Sequence, residues 1–109
     1  MIDMDKIYQV TVSEIGDIHW TLNGKTHCEH GPALTRANGD KFWYFNDLNH
    51  RTGGPACEYA DGSKVWYING ERHRDDGPAA IDSEGYSEWW IKGEKVTEDE
   101  FLIWQKTKN

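Results

Sequence analysis

Residues 62–84 read GSKVWYINGERHRDDGPAAIDSE, and this 23-residue unit recurs along the chain. Its pattern is G-x3-W-x2-N-G-x2-H-x3-G-P-A-x5, with Asp47 in place of the second glycine in one copy. A period of this length is typical of repeat architectures, so it has to be recognised before any element is assigned. The positions that keep the step include Trp20, Trp43, Trp66 and Trp89, together with His27, His50 and His73.

Each unit places turn residues between segments that favour strands. Asn38-Gly39 and Asp61-Gly62 are typical of two-residue hairpin turns, because Asn, Asp and Gly tolerate a positive φ. The Asn-Gly pair that follows a Trp predicts the start of a longer connection, which ends at Gly-Pro, where proline suits the first residue of a strand. We therefore expect a mainly β fold, a repeat array of four β-hairpins that forms an extended, twisted antiparallel meander of eight strands, with hairpins at 8–22, 33–45, 56–68 and 79–91.

The C-terminal residues have a different character. Thr97 and Glu100 fit the capping box of a helix start, and acidic residues in the first turn suit the helix dipole. A helix of about ten residues is marginal alone, and the apolar run from Phe101 to Trp104 indicates that this one packs on the sheet. We expect a C-terminal α-helix at 97–107 that caps the open end of a single domain, 1–109.

The composition indicates a folded domain whose core is built from aromatic rings. Charged residues make up 28% of the 109, but aromatic residues reach 13% with six Trp, whereas disordered chains have few aromatics. The formal net charge of −7 disfavours binding to nucleic acid or to an anionic membrane, since the field repels phosphate. A basic protein partner or solubility alone would explain this charge.

No targeting or membrane segment is recognisable. The start MIDMDKIYQV lacks the basic residues and apolar run of a secretion signal, and no window approaches the roughly 18 apolar residues of a membrane span. Cys28 and Cys57 fall at different places in the repeat, which indicates neither a disulfide ladder nor a metal cluster. These features predict a cytoplasmic location.

The phrases YADGSKVWYING, residues 59–70, and NGERHRDDGPA, residues 69–79, resemble the MORN-type repeats over roughly residues 16–93. Gly-Pro-Ala replaces the usual Gly-x-Gly of that family. The HxxxGPA form, closed by a helix such as VTEDEFLIW at 96–104, is more similar to small MORN-like repeat proteins of bacteriophages and bacteria. The resemblance implies a single-layer, twisted array of β-hairpins that binds proteins or lipids and has no catalytic residues.

The periodic histidines do not fit a shared metal site. Strands lie about 4.8 Å apart, so equivalent residues two strands on are separated by roughly 9.6 Å, whereas zinc holds His nitrogens at about 2.0–2.1 Å. We expect His27, His50 and His73 to bond the backbone of the connection. Cys28 and His30 add soft ligands in one copy only, and a fourth ligand is missing. We expect no catalytic residues, no enzyme activity, no metal and no cofactor.

Alternation along the strands divides the aromatic residues between two faces of the sheet. The side that carries Trp20, Trp43, Trp66 and Trp89, here called the Trp face, is expected to be structural. Two alternatives remain for the opposite side: the connections and the helix cover it, or it is an exposed surface of the kind that marks interaction sites. This opposite side, here called the second face, carries the candidate binding residues Phe42, Tyr44, Val65, Tyr67 and Trp90.

The leading hypothesis is a small, non-enzymatic repeat module that binds a protein, either a host factor or a second copy of itself as a homodimer. The resemblance to phage proteins implies a phage-encoded inhibitor or modulator of a host factor in the host cytoplasm, and an acidic mimic of nucleic acid is one version. One alternative is a ligand-binding module that stacks sugars or nucleotides on its aromatic face. Another is a homo-oligomeric structural protein, and a metal-dependent enzyme ranks last.

Overall fold

The computed structural model describes residues 6–108, which form an open antiparallel β meander followed by one helix. The fold class expected from the sequence is confirmed, and the molecule measures 44 × 32 × 22 Å. The strands within the described residues are β1 (Tyr8–Val12), β2 (Ile18–Leu22), β3 (Lys25–Thr26), β4 (Leu34–Thr35), β5 (Lys41–Phe42), β6 (Tyr44–Phe45), β7 (Leu48–Asn49), β8 (Cys57–Glu58), β9 (Lys64–Val65), β10 (Tyr67–Ile68), β11 (Glu71–Arg72), β12 (Ala80–Ile81), β13 (Ser87–Ile91) and β14 (Glu94–Val96).

The turn that opens each unit is one residue longer than the sequence predicts. Gly39 N–H donates to the Arg36 carbonyl at 2.9 Å, and Arg36 N–H donates to the Asp40 carbonyl at 2.8 Å, which leaves a three-residue loop. Gly39 has a φ of +101°, but Asn38 does not adopt a positive φ, because its side chain accepts the Asp40 N–H instead. This is a type I turn closed by a glycine bulge. The two-residue prediction is wrong here and at the matching turns around Gly16, Gly62 and Gly85.

The prediction that a longer connection begins at the Asn-Gly pair after each Trp is also wrong, because a second tight hairpin forms there. Both central residues of each of these turns have a positive φ, between 48° and 87°, which is the two-residue type I′ geometry that matches the twist of the strands. Each unit therefore contributes two hairpins, and the strands number fourteen in the described residues rather than eight. The turn pairs are Asn23-Gly24, Asn46-Asp47, Asn69-Gly70 and Lys92-Gly93.

The Trp position is where a strand passes from the main sheet into the second hairpin. Trp43 N–H donates to the Ala56 carbonyl of the same unit at 2.8 Å, while its own carbonyl accepts His50 N–H at 3.1 Å. The same two kinds of bond form at Trp20 and Trp66. The main sheet has ten strands in the order β1-β2-β4-β5-β8-β9-β12-β13-β14, with β3 on β2, and two-stranded sheets form from β6-β7 and from β10-β11.

The Gly-Pro-Ala triplet supplies the buried centre of each unit. Ala33, Ala56 and Ala79 have 0% exposed surface, and each carbonyl accepts a hydrogen bond from a Trp amide. The preceding proline lies just before the strand, where its missing donor costs nothing. An interior packed this closely leaves no room for a larger side chain at the alanine positions.

The C-terminal helix forms where the sequence predicts it. α1 spans Glu98–Thr107, and Thr97 and Glu100 make both hydrogen bonds of the capping box. Phe101 is 2% exposed, and the helix packs on β13, the strand next to the last in the main sheet. No helix in the described part of the chain is long and apolar enough to cross a membrane.

Candidate functional site

On the Trp face, guanidinium groups lie over two of the tryptophan rings. Arg51 Cζ is 3.8 Å from the centroid of the Trp43 ring, and Arg74 Cζ is 4.0 Å from that of Trp66. Arg51 Nη1 also donates to the Pro55 carbonyl at 3.0 Å, which holds the guanidinium in place. Such cation–π contacts stabilise by about 0.5–2 kcal/mol. These rings are therefore packed within the array.

The periodic histidines link consecutive units. His27 Nδ1 accepts a hydrogen bond from the backbone N–H of Asn46, which lies in the second turn of the next unit, at 3.0 Å. Because Nδ1 accepts, the ring hydrogen is on Nε2. Each histidine thus bonds backbone as expected, although the amide belongs to a tight turn and not to a long connection. The corresponding bonds join His50 to Asn69 at 2.9 Å and His73 to Lys92 at 3.0 Å.

The second ring nitrogen of two histidines faces a carboxylate. His73 Nε2 lies 2.6 Å from Asp75 Oδ1, and this hydrogen bond, aided by the charge of Lys108, lowers the pKa of Asp75. His27 Nε2 lies 3.4 Å from Glu29 Oε1. Across residues 6–108, no group of three or more His, Cys, Asp or Glu side chains could hold a metal ion. The histidines are therefore parts of a hydrogen-bonded ladder.

The five candidate residues lie on the second face, and all are half-buried. Cys57 lies between two of them in the sheet: Phe42 is its partner on one neighbouring strand and Val65 on the other. The ring of Phe42 meets that of Tyr59 edge-on, with centroids 5.6 Å apart. Close packing between neighbours therefore fixes these side chains without enclosing them.

The helix lies on the other side of the sheet. The ring of Trp104 meets that of His73 at 5.6 Å, and Gln105 donates to the Asp75 carbonyl at 3.0 Å. His73 and Asp75 belong to the connections that border the Trp face. The helix α1 therefore packs on the Trp side of the sheet. The rings of the second face are contacted by residues of neighbouring strands and not by the helix.

The second hairpin of each unit places a polar side chain beside one aromatic ring of the second face, at Tyr44, Tyr67 and Trp90. Opposite residues of an antiparallel pair point to the same side, and the register pairs each of these rings with one residue of the following strand. The result is a line of alternating rings and hydrogen-bonding side chains, here called the second-face row: Tyr44, Asn49, Tyr67, Arg72, Trp90 and Lys95. Sequence reasoning missed the polar members because it placed a connection there. Their 23-residue spacing, at 49, 72 and 95, is the signal that could have found them.

Arg72 connects the last two rings of the row. Its Nε donates to the Tyr67 hydroxyl at 3.2 Å, a bond that raises the pKa of Arg72, and its Cζ lies 5.0 Å from the Trp90 centroid. Glu88 accepts from Trp90 Nε1 at 3.0 Å and from Lys95 Nζ at 3.3 Å, and these bonds lower the pKa of Glu88. Arg72 and Lys95 both pair with the carboxylate of Glu88. This end of the row is therefore locally positive on a chain of net charge −7.

Cys57 lies in the second face but offers no reactive thiol. It is 4% exposed, and Asn49 Nδ2 lies 3.8 Å from its Sγ. Burial raises the pKa of the thiol to about 11, and the thiolate is the reactive form of cysteine. Cys57 therefore stays protonated at neutral pH and contributes packing.

Two open cavities lie between successive connections on the Trp face, and sequence reasoning missed both. The first, of about 550 Å³, is bordered by residues 28–31, 43–45 and 50–52. The second, of about 500 Å³, is bordered by residues 51–55 and 73–76, with Trp66 between them. Their volumes fall within the range of small-molecule sites, but the guanidinium and imidazole groups along their walls already bond within the array.

Comparisons with known proteins gave no match among family models, curated proteins or solved structures. The resemblance to MORN-type repeats stays a prediction from the sequence.

Proposed function

We propose that this protein is a non-enzymatic repeat module that binds another protein through its second face. The observation that carries the proposal is the second-face row, in which Tyr44, Tyr67 and Trp90 alternate with Asn49, Arg72 and Lys95. Tyr, Trp and Arg are the residues that contribute most to protein interfaces. On the Trp face, by contrast, the stacked guanidinium groups and the helix already occupy the aromatic surface.

The shape and charge of the row support a protein partner. The row runs across three successive hairpins in a molecule 44 Å long, which suits an extended contact better than an enclosed small molecule. The Arg72 and Lys95 end of the row is locally positive on a chain of net charge −7, so the protein offers a partner regions of both signs. The finer role of a phage-encoded inhibitor of a host factor in the host cytoplasm rests on the sequence resemblance.

Variants on the two faces test this proposal. A partner captured from lysate by the purified protein is identified, purified and titrated by calorimetry against Tyr44→Ala and Arg72→Ala. We expect the Kd to rise at least tenfold for both, as removal of an interface hot spot costs about 2 kcal/mol or more. Leu48→Ala is the control, because Leu48 is 47% exposed and, paired with Phe45, points to the Trp face. Equal affinity for all three variants contradicts the proposal.

Binding of a small ligand is the second candidate, and the two cavities near Trp43 and Trp66 favour it, each of about 500–550 Å³. Arg51 and Arg74 already lie over these two rings, so a sugar or a base would bind beside the guanidinium groups and not on the ring faces that they cover. Titration of the intrinsic tryptophan fluorescence with mono- and oligosaccharides and with nucleotides tests this alternative. A saturable change supports it, and a flat response across the series removes it.

A further inference from the structure

The first strand presents an unpaired sheet edge. Within the described residues β1 pairs with β2 alone, with Val10 opposite Trp20. The Trp20 amide donates to the carbonyl of Ala33, the residue just before β4, so it points away from β1. Directly opposed residues of an antiparallel pair either both bond across the pair or both point outward. The N–H and C=O groups of Val10, and by alternation those of Tyr8 and Val12, therefore point out of the sheet.

Among residues 6–108, this edge lacks the features that normally prevent pairing with another chain. Natural edge strands are protected by charged side chains, proline, bulges or a covering segment. The segment IYQVTVS, residues 7–13, contains no charged residue and no proline. On the Trp face beside it, Val10 is 46% exposed, Val12 66% and Ile18 37%. The edge thus combines free backbone groups with an exposed apolar strip.

The other end of the array is protected. β14 is three residues long and includes Glu94 and Lys95. The chain continues from it into α1, which packs on β13. A head-to-tail contact between β14 of one copy and β1 of the next is therefore disfavoured. The β1 edge can instead be satisfied by the same edge of a second copy, which gives a closed pair with twofold symmetry.

We propose that two copies of this chain associate through β1, in an antiparallel pairing centred on Val10 that continues the sheet from one copy into the other. In this register Val10 faces Val10 of the second copy, and Tyr8 faces Val12. Each of these opposed pairs exchanges two N–H···O bonds, because all the outward backbone groups meet. Apolar side chains then lie opposite apolar ones on the Trp face.

The charged residues that flank β1 take no part in the shared ladder. Lys6 Nζ bonds Glu29 Oε1 within its own copy, and Glu14 lies in the turn that follows β1. The pairing therefore depends on the outward backbone groups and on the apolar strip. This contact is distinct from the second face and leaves the second-face row available for a different partner. A chain that does not dimerise through β1 would therefore leave the proposed binding through the second face untouched, and the reverse also holds.

The mass of the full chain in solution is the first test. The chain has a mass of 12.6 kDa, and we expect light scattering on a size-exclusion column to give about twice that value at micromolar concentration. Val10→Pro should shift the mass to that of the monomer, because it removes an N–H that only the second copy would use. A wild-type chain that remains monomeric over the whole concentration range overturns the proposal.

Engineered cysteines test the register. Val10→Cys places two thiols on the twofold axis, where opposed Cα atoms lie about 5.5 Å apart, a separation that suits a disulfide. We expect a cross-linked dimer under mild oxidation. Val12→Cys is the matched control, since two copies of residue 12 would lie roughly 13 Å apart. The native Cys28 and Cys57 are buried. A dimer in which Val10→Cys does not cross-link, or in which both variants cross-link equally, contradicts pairing through β1.

Discussion

Arg74 and Gly77 are in direct contact: a Cβ atom added at Gly77 would lie 3.1 Å from Arg74 Cζ. The same guanidinium stacks on Trp66 at 4.0 Å and donates to the Pro78 carbonyl at 3.1 Å. The glycine of the Gly-Pro-Ala triplet is thus needed where an arginine stacks on the tryptophan of the same unit. Repeat positions that are distant in sequence depend on one another through this contact.

Gly77→Ala should lower the free energy of unfolding by about 1 kcal/mol, because the stacked guanidinium must move to admit the methyl group. In an Arg74→Ala background the same substitution should cost far less, so urea unfolding of the four proteins forms a double-mutant cycle. Gly31→Ala is the control. Cys28 stands in the arginine position of that unit, and no atom lies within 4 Å of the added Cβ at Gly31. Equal losses at Gly77 and Gly31 would contradict this explanation.

His27→Ala should lower the free energy of unfolding by about 2–4 kcal/mol. The substitution leaves the Asn46 amide without its acceptor and opens a cavity between the Tyr8 and Phe45 rings. His27 is 2% exposed and contacts both rings. Urea denaturation measures the loss, and His30→Ala, at an exposed position three residues further on, should change stability by less than about 0.5 kcal/mol. A comparable loss at both positions would argue against the histidine ladder.

Lys92→Asn should stabilise the protein by about 0.5–1 kcal/mol, since Lys92 has a φ of +48°, which asparagine tolerates better. The other three units have asparagine at this place, at Asn23, Asn46 and Asn69. Lys25→Asn is the control, because Lys25 is an exposed lysine of β3 without a positive φ and gains nothing from the change. Thermal unfolding monitored by circular dichroism provides the comparison. If Lys92→Asn gives no increase in Tm, the turn does not store the strain assigned to it.

Stability should decrease in acid, in part through the helix cap. Thr97 N–H donates to the Glu100 carboxylate at 2.9 Å, which lowers the pKa of Glu100. A lowered pKa in the folded state gives a stabilisation that is complete above the ordinary glutamate pKa, about 4.3, and is lost as the pH falls below it. Glu100→Gln should reduce the loss of unfolding free energy between about pH 6 and pH 3. Glu98 makes no bond to Thr97, so Glu98→Gln should show a larger loss than Glu100→Gln over the same range. Identical pH profiles would contradict the role of the cap.

The repeat made much of the fold predictable. The 23-residue step located the first hairpin of each unit, and Thr97 with Glu100 located the helix, because these signals are local in sequence. The two kinds of turn were harder to assign. Asn38-Gly39 and Asn69-Gly70 have the same dipeptide, but the Asn38 side chain bonds to the Asp40 amide and stays out of the left-handed region, whereas Asn69 adopts a φ of +49°.

The candidate site was predictable only in part, for the same reason. Tyr44, Tyr67 and Trp90 followed from strand alternation. Arg72 and Lys95 depend on the second hairpin, since the strand that returns from its turn brings them beside those rings. The contacts of Arg51 and Arg74 with tryptophan depend on how the connections fold over the Trp face, which no local pattern encodes.

The central claim is that a partner binds the second face while the Trp face is structural. Fluorine NMR of the protein labelled with 5-fluorotryptophan tests it most directly. Trp90 lies in the second-face row, whereas Trp43 and Trp66 lie under guanidinium groups on the Trp face. When the purified partner is added, we expect the Trp90 resonance, assigned with Trp90→Phe, to shift while those of Trp43 and Trp66 stay in place. A partner that shifts Trp43 and Trp66 and leaves Trp90 unchanged would contradict binding through the second face.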